Sequence, residues 1–272
     1  MDEAESAGGK KIRGKVVVVM PAYQAERTIE RAFREIPSGA ADEVLAVDDA
    51  SRDGTSKTAR ELGVRLIIHP RNLGYGASQK TCYNYAIESG ADIIVMLHAD
   101  AQYDASVIPL MTSAIASGDA DLVLGSRMKI PGDAKKGGMP FSKIVVNGLL
   151  TSLENFFFGT RLTDMHTGYR AFSREFLESV PFMKNSDGFL FDSQMLAQAA
   201  AFKARILEIP VKSRYFNEAS SIGFFNGSIY TLGTLLVVLQ FILLKTGVFV
   251  FSIFRMQPAT DRSAVDVKNG KE

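Results

Sequence analysis

Two stretches of the sequence set acidic or imidazole side chains directly after apolar runs. Glu43 to Val47 leads into Asp48-Asp49-Ala50-Ser51, and Ile93 to Leu97 leads into His98-Ala99-Asp100-Ala101-Gln102. Adjacent carboxylates at such a place can accept hydrogen bonds from a nucleobase N–H and from ribose hydroxyls. In extended chain, residues two apart point to the same side, so His98 and Asp100 could reach one cation. Hard oxygen ligands beside phosphate favour Mg2+ or Mn2+, and an imidazole tilts the choice toward Mn2+. The other reading of His98 is a packed or capping histidine.

These residues need elements to hold them, and the hydrophobic pattern supplies those. Val16 to Met20 is a β-branched run that suits a strand buried on both faces. A helix is expected over about Thr28 to Glu35, a strand over Glu43 to Val47, a helix over Gly54 to Leu62, a strand over Val64 to Ile68 and a helix over Gly76 to Glu88. Then come a strand at Ile93 to Leu97, a helix over 105–117 and a strand at Leu122 to Leu124. The alternation predicts a parallel doubly wound α/β sheet. Tyr23, Asp48, Asp49, Arg71, Asn72, His98, Asp100 and Arg127 follow strand ends, where open α/β sheets bind ligands, although polar residues are also common in plain loops. The segment Arg127 to Lys143 reads as a basic loop. It would fold over a pyrophosphate, face anionic lipid or simply be solvated.

Bulk properties narrow the classes. The 272 residues are 46% hydrophobic and 22% charged, which fits one folded domain with a sizeable core. A net charge of +1 gives no overall field toward nucleic acid, and no nucleic-acid partner is expected. The single cysteine, Cys82, excludes an internal disulfide framework and reads as a buried structural thiol of a reducing compartment. Neither a Gly-x-Gly-x-x-Gly fingerprint after the first strand nor a Walker pattern occurs, which argues against a dinucleotide oxidoreductase and a P-loop ATPase.

Taken in order, Pro21-Ala22-Tyr23, Val47-Asp48-Asp49-Ala50-Ser51-Arg52-Asp53-Gly54-Thr55, Asn72-Leu73-Gly74-Tyr75-Gly76, Ala99-Asp100-Ala101-Gln102 and Gly125-Ser126-Arg127 resemble the inverting family 2 glycosyltransferases. The likeness is to the dolichol-phosphate mannose synthase-like branch and covers about residues 14–225. It implies a GT-A fold, a Rossmann-like, mostly parallel sheet flanked by helices. It also implies transfer of a sugar from a nucleoside-diphosphate sugar to a lipid-phosphate or glycan acceptor, with Mn2+ or Mg2+. Pro21, Tyr23, Asp48 and Asp49 would hold the nucleoside, with Asn72, Gly76, Gln102 and Arg214 nearby. Asp100 would bind the metal, and Arg127 would face phosphate or sugar. His98 stands where the family has the first aspartate of Asp-x-Asp, which leaves metal affinity and identity open. Asp164 to Arg170 resembles the family segment ending in Gly-Phe-Arg, making Arg170 a candidate for donor or acceptor phosphate. Asp192 would be the base for a hydroxyl acceptor, orient a phosphate acceptor, or serve only as a helix N-terminal carboxylate. Arg214, Tyr215, Glu218, Ser220 and Ser221 match a basic, small-residue loop over the donor. A sugar nucleotidyltransferase and an inactive nucleotide-binding module are the rival readings.

Outside that region, residues 1–13 and 257–272 read as polar tails, and Met1 to Lys15 lacks the apolar core of a secretory signal. Residues 226–256 form an apolar helical segment, nearly continuous from Ile229 to Phe254. Its length could span a bilayer, but Gln240, Lys245 and a possible break at Gly247 favour a helix or hairpin lying on the cytoplasmic face of a membrane. Packing on the catalytic domain or against a second subunit is the alternative, so a homo-oligomer stays open.

Overall fold

The computed structural model describes residues 14–215 and 224–256, with side chains from residue 227 onward in the second stretch. The two polar tails, and Glu218, Ser220 and Ser221, lie outside the described residues.

In chain order the elements are β1 (Val16–Ala22), α1 (Ile29–Arg34), β2 (Glu43–Asp48), α2 (Thr55–Glu61), β3 (Arg65–Ile68), α3 (Tyr75–Glu88), β4 (Ile93–Met96) and α4 (Ile108–Ala116). They continue with β5 (Leu122–Ser126), α5 (Asp133–Lys136), α6 (Phe141–Phe158), β6 (Arg170–Ser173), α7 (Arg174–Ser179), α8 (Phe191–Ala201), β7 (Ile206–Pro210) and α9 (Phe224–Lys245). The sheet order is β3-β2-β1-β4-β6-β5-β7. β6 runs antiparallel to both β4 and β5, while the other adjacent pairs are parallel. The sheet is therefore mostly parallel. The reversal matters for the site. β6 begins at the edge where its neighbours end, so the segment leading into Arg170 reaches the same edge as Asp48, His98 and Arg127.

β1 shows why its sequence is an unbroken apolar run. Val17 and Val19 enter the core on one face of the sheet, and Val16, Val18 and Met20 enter the core on the other. Fully burying such a side chain contributes about 1.5–3 kcal/mol. Pro21 falls beyond Val19, the last β1 residue paired with β4, so its missing N–H costs no bond there.

One feature departs from the sequence expectation and another follows it. The segment 127–143 is not loop throughout, since it contains α5 and the first turn of α6. The C-terminal apolar segment does break at Gly247, whose φ of +73° suits a residue without Cβ. The chain then returns to the domain, burying Ile253 and Phe254, and Gln198 Nε2 donates to the Ile253 carbonyl at 2.7 Å. Within α9, Gly227–Lys245 is long and apolar enough to cross a membrane by length and composition. One side of that helix, with Thr234, Val237, Val238 and Phe241, is buried against the domain.

Candidate active site

Left-handed backbone marks the exits of three strands. Gln24, Ala50 and Ala101 have φ of +51°, +58° and +55°, and each directly follows a candidate residue: Tyr23, Asp49 or Asp100. A residue with a Cβ in this region costs about 1–2 kcal/mol, and such strain collects at functional sites. The turns throw the preceding side chains toward one edge.

Tyr23 stands half-exposed at the β1 exit. Asp48 and Asp49 are buried, and their oxygens are engaged by the protein itself. Asp48 accepts from the Ser51 N–H at 3.0 Å and from the Ser56 hydroxyl. Asp49 accepts from His69 Nδ1 at 2.7 Å and from the N–H groups of Leu73 and Gly74, each at 2.8 Å. Asp49 thereby fixes the loop that carries Asn72, which is exposed at the rim. Gly76 faces the 186–188 loop. Its N–H donates to the Asp187 carbonyl at 2.7 Å, and a Cβ there would lie 2.3 Å from the Ser186 carbonyl oxygen.

At the β4 exit, His98, Tyr75, Asp192 and Gln79 form one hydrogen-bonded chain. The Tyr75 hydroxyl donates to Asp192 Oδ2 at 3.0 Å and lies 2.8 Å from His98 Nε2. A phenol has a single proton, so Nε2 of His98 is assigned as the donor to Tyr75. Gln79 Nε2 donates to Asp192 Oδ1 at 3.1 Å. Arg170 is fully buried behind this carboxylate. Its Nη1 lies 3.5 Å from Asp192 Oδ1, and its guanidinium donates to the carbonyls of Thr167, Met165 and Asp192. These bonds bring Arg170 and Asp192 together and tie both to His98, which the sequence had placed with Asp100 instead.

Asp100 is buried, and its Oδ1 accepts from the Gln102 N–H at 3.0 Å. Gln102 in turn accepts from the Arg214 N–H at 2.8 Å, while the Arg214 guanidinium pairs with Glu35 at 2.6 Å. Among the described residues no group of three or more His, Cys, Asp and Glu side chains is placed to hold a metal. An ion at Asp100 would therefore draw most of its ligands from a diphosphate and water. That is the usual habit of Mg2+ in phosphate-transfer sites, and the donor set fits such an ion. With Nε2 committed to Tyr75, only Nδ1 of His98 could join it.

Arg127, at the β5 exit, is buried in a bidentate pair with Asp164, at 2.7 Å from Nε and 2.8 Å from Nη2. Its Nη2 also donates to the His166 carbonyl at 3.0 Å, and Nη1 to the Tyr215 hydroxyl at 3.1 Å. Against the upward push of burial, the Arg127 charge holds the Asp164 carboxyl below its ordinary pKa. Lys143 stacks on Tyr215, with Nζ 5.2 Å from the ring centroid. Burial, and next the Arg127 charge, lower the pKa of its ammonium. Lys143 belongs to the basic segment that the sequence sets near a phosphate site; the fold adds that it starts α6 and stands partly buried beside Tyr215, which Arg127 also contacts.

Comparison with known proteins bears on the family and the fold. Residues 17–180 match the family model described as glycosyl transferase family 2. The low-salt glycan biosynthesis hexosyltransferase Agl6 of Haloferax volcanii is 34% identical over 216 residues, which are 77% of this chain and 50% of that protein. This chain thus spans half the length of that relative. The UDP-N-acetylglucosamine–dolichyl-phosphate N-acetylglucosaminyltransferase of Methanococcus voltae is 30% identical over 217 residues, covering 74% of this chain and 86% of the relative. The undecaprenyl-phosphate mannosyltransferase of Micrococcus luteus is 28% identical over 207 residues, with 72% and 82% covered. A crystal structure of glucosyl-3-phosphoglycerate synthase from Mycobacterium tuberculosis, in complex with Mn2+, UDP and glucosyl-3-phosphoglycerate, superposes with a TM-score of 0.64 at 19% identity. It covers 87% of this chain and 81% of its own, a likeness of fold.

Proposed function

The chain belongs to glycosyl transferase family 2 and is a glycosyltransferase, and we propose that it moves a sugar from a nucleoside diphosphate to a polyprenyl phosphate-like lipid, with inversion, at the cytoplasmic face of a membrane. The observation that carries the reading is the bonded path from His98 through Tyr75 to Asp192. It joins the strand end that would hold the donor diphosphate to the helix that would face the acceptor.

In this reading Pro21 and Tyr23 receive the nucleoside, while Asp48 and Asp49 shape that pocket, Asp48 through the turn at Ser51 and Asp49 through the loop bearing Asn72. Asp100 holds a divalent cation, which when bound supplies positive charge to the departing diphosphate. Lys143 adds charge on the same side, and Arg127, neutralised by Asp164, holds the Tyr215 ring on which Lys143 stacks. Asp192 orients the acceptor. A phosphate acceptor is already ionised at neutral pH and needs no base, so orientation suffices. Arg170 acts as a positioning residue, through Asp192, and Gly76, Gln102 and Arg214 hold the loops that frame the cleft. Attack from the acceptor side in a single displacement inverts the anomeric carbon. The acceptors in the names of two relatives, dolichyl phosphate and undecaprenyl phosphate, support a lipid phosphate over a glycan. The lone buried thiol, Cys82, fits a reducing compartment.

Release of nucleoside diphosphate from a panel of UDP- and GDP-sugars, with Mn2+ or Mg2+, tests this. Release should depend on added polyprenyl phosphate for at least one donor. Equal release without lipid, or release only with a glycan acceptor, contradicts it.

A further inference from the structure

α6 and α9 pack side by side, and both carry large apolar side chains on their outer faces while their buried faces mix apolar and polar groups. Toward the domain, α6 presents Asn147, Thr151 and Glu154 with Leu150 and Phe158, and α9 presents Thr234 with Val237, Val238 and Phe241. Polar inner groups are linked. Thr234 Oγ1 lies 3.2 Å from Ser193 Oγ, Ser193 Oγ lies 3.0 Å from the Tyr230 hydroxyl, and that hydroxyl lies 2.8 Å from His166 Nδ1. His166 Nε2 stands 3.2 Å from Glu154 Oε2, in contact but outside hydrogen-bond geometry. Outward, Leu149 and Phe156 of α6 are 68% and 80% exposed, and Leu232 of α9 is 67% exposed. Val145, Leu236 and Phe249 are exposed as well. A helix facing water turns polar side chains outward. Apolar groups outward, with the polar groups kept among the buried ones, is the arrangement of helices facing hydrocarbon.

Charge singles out the occupant. Within 141–162 and 224–256 the one acidic residue is Glu154, which is fully buried. Within those two segments the exposed charged residues are the cations Arg161, Lys245 and Arg255. A second copy of this face would bring those cations against like charges, whereas anionic phospholipid head groups complement them.

We propose that α6 and α9 together form a surface inserted into one leaflet of a bilayer, with their outer side chains among the acyl chains and these cations at the head groups. α9 does not cross. Tyr230 near its start binds the 166 and 193 positions, and the chain after its end returns to bury Ile253 and Phe254, so both ends stay on the same domain. The inference rests on the membrane-surface reading above and adds α6, about 80 residues upstream of α9, to the surface.

Flotation of full-length protein with vesicles of phosphatidylcholine and phosphatidylglycerol in equal amounts tests it. The wild type should float. The double variant Leu149→Glu/Phe156→Glu alters exposed α6 side chains and leaves α9 intact. It should keep the wild-type melting temperature and detergent-dispersed activity but lose vesicle affinity on the order of a hundredfold. If the variant floats as well as the wild type, α6 is not inserted. If the wild type stays at the bottom as a discrete dimer that the variant dissolves, a second copy covers the face and the proposal is wrong. Transfer to short-chain polyprenyl phosphate in detergent separates the two readings. Its absence in the wild type defeats the proposed function, while its presence with unchanged variant flotation defeats only the α6 surface.

Discussion

The hydroxyl of Tyr75 donates to the carboxylate of Asp192 across 3.0 Å, although the two residues stand 117 positions apart. Replacing Tyr75 by Phe keeps the ring and removes the link, leaving Asp192 Oδ2 and His98 Nε2 without that partner. An unpaired buried polar group costs about 1–3 kcal/mol. The expected outcome is a fall of roughly tenfold or more in kcat/KM for the acceptor, with the donor KM little changed. Initial-rate kinetics with each substrate varied in turn would check this, and an equal loss for both substrates would point to general unfolding instead.

The Arg127–Asp164 pair is buried and bidentate. Removing one member of such a pair strands the other charge, at a cost of about 3–5 kcal/mol, whereas replacing both by apolar residues is often close to neutral. Asp164→Asn should therefore lower the urea midpoint far more than the double change Arg127→Met/Asp164→Leu. Equal destabilisation by the two would mean that the pair itself stabilises the fold. Activity should be lost in both variants.

Most of the fold was legible because strand and helix alternate, and each βα unit carries its own apolar signature. β6 and β7 were not. Arg-Ala-Phe-Ser contains no β-branched residue, and β7 is an edge strand with Leu207 exposed, so neither gives a buried-strand pattern. Strand-end residues were found because their position is local. Their partners were missed because those are long-range: Asp164 for Arg127, Glu35 for Arg214 and Tyr75 for His98. The stripe of Phe141, Val145, Leu149 and Phe156 was readable at helical spacing. By itself, however, such a stripe signals a core face, and only the fold shows that it points outward.

Lys143 should give the enzyme an alkaline limb. Its folded pKa lies below the ordinary lysine value, so its ammonium loses the proton before a free lysine would. If that charge faces the donor diphosphate, the donor KM rises as pH climbs through the window beneath the usual value of about 10.4. In the same window the unfolded chain binds more protons than the folded one, so stability without ligand rises with pH. Lys143→Arg keeps its charge and should flatten the KM rise. A limb that persists in the Arg variant would assign it to another group.

Asp100→Ala should lower kcat by on the order of 10³-fold, since the diphosphate would leave without its main counter-charge. His98→Asp restores an Asp-x-Asp pattern but also removes the donor to Tyr75. If His98 Nδ1 joins the ion, the Mn2+/Mg2+ activity ratio should fall in this variant. An unchanged ratio would confine His98 to the Tyr75 bond.

The most direct measurement is isolation of the lipid product. Full-length protein would be incubated with the nucleotide sugar that supports release, Mn2+ and polyprenyl phosphate, and the chloroform-soluble fraction examined by mass spectrometry and NMR. The predicted result is a hexose or N-acetylhexosamine joined to the lipid through one phosphate, its anomeric configuration opposite to that of the donor. A lipid carrying a sugar with the donor's configuration, or a diphosphate-linked sugar, would contradict direct displacement by the lipid phosphate.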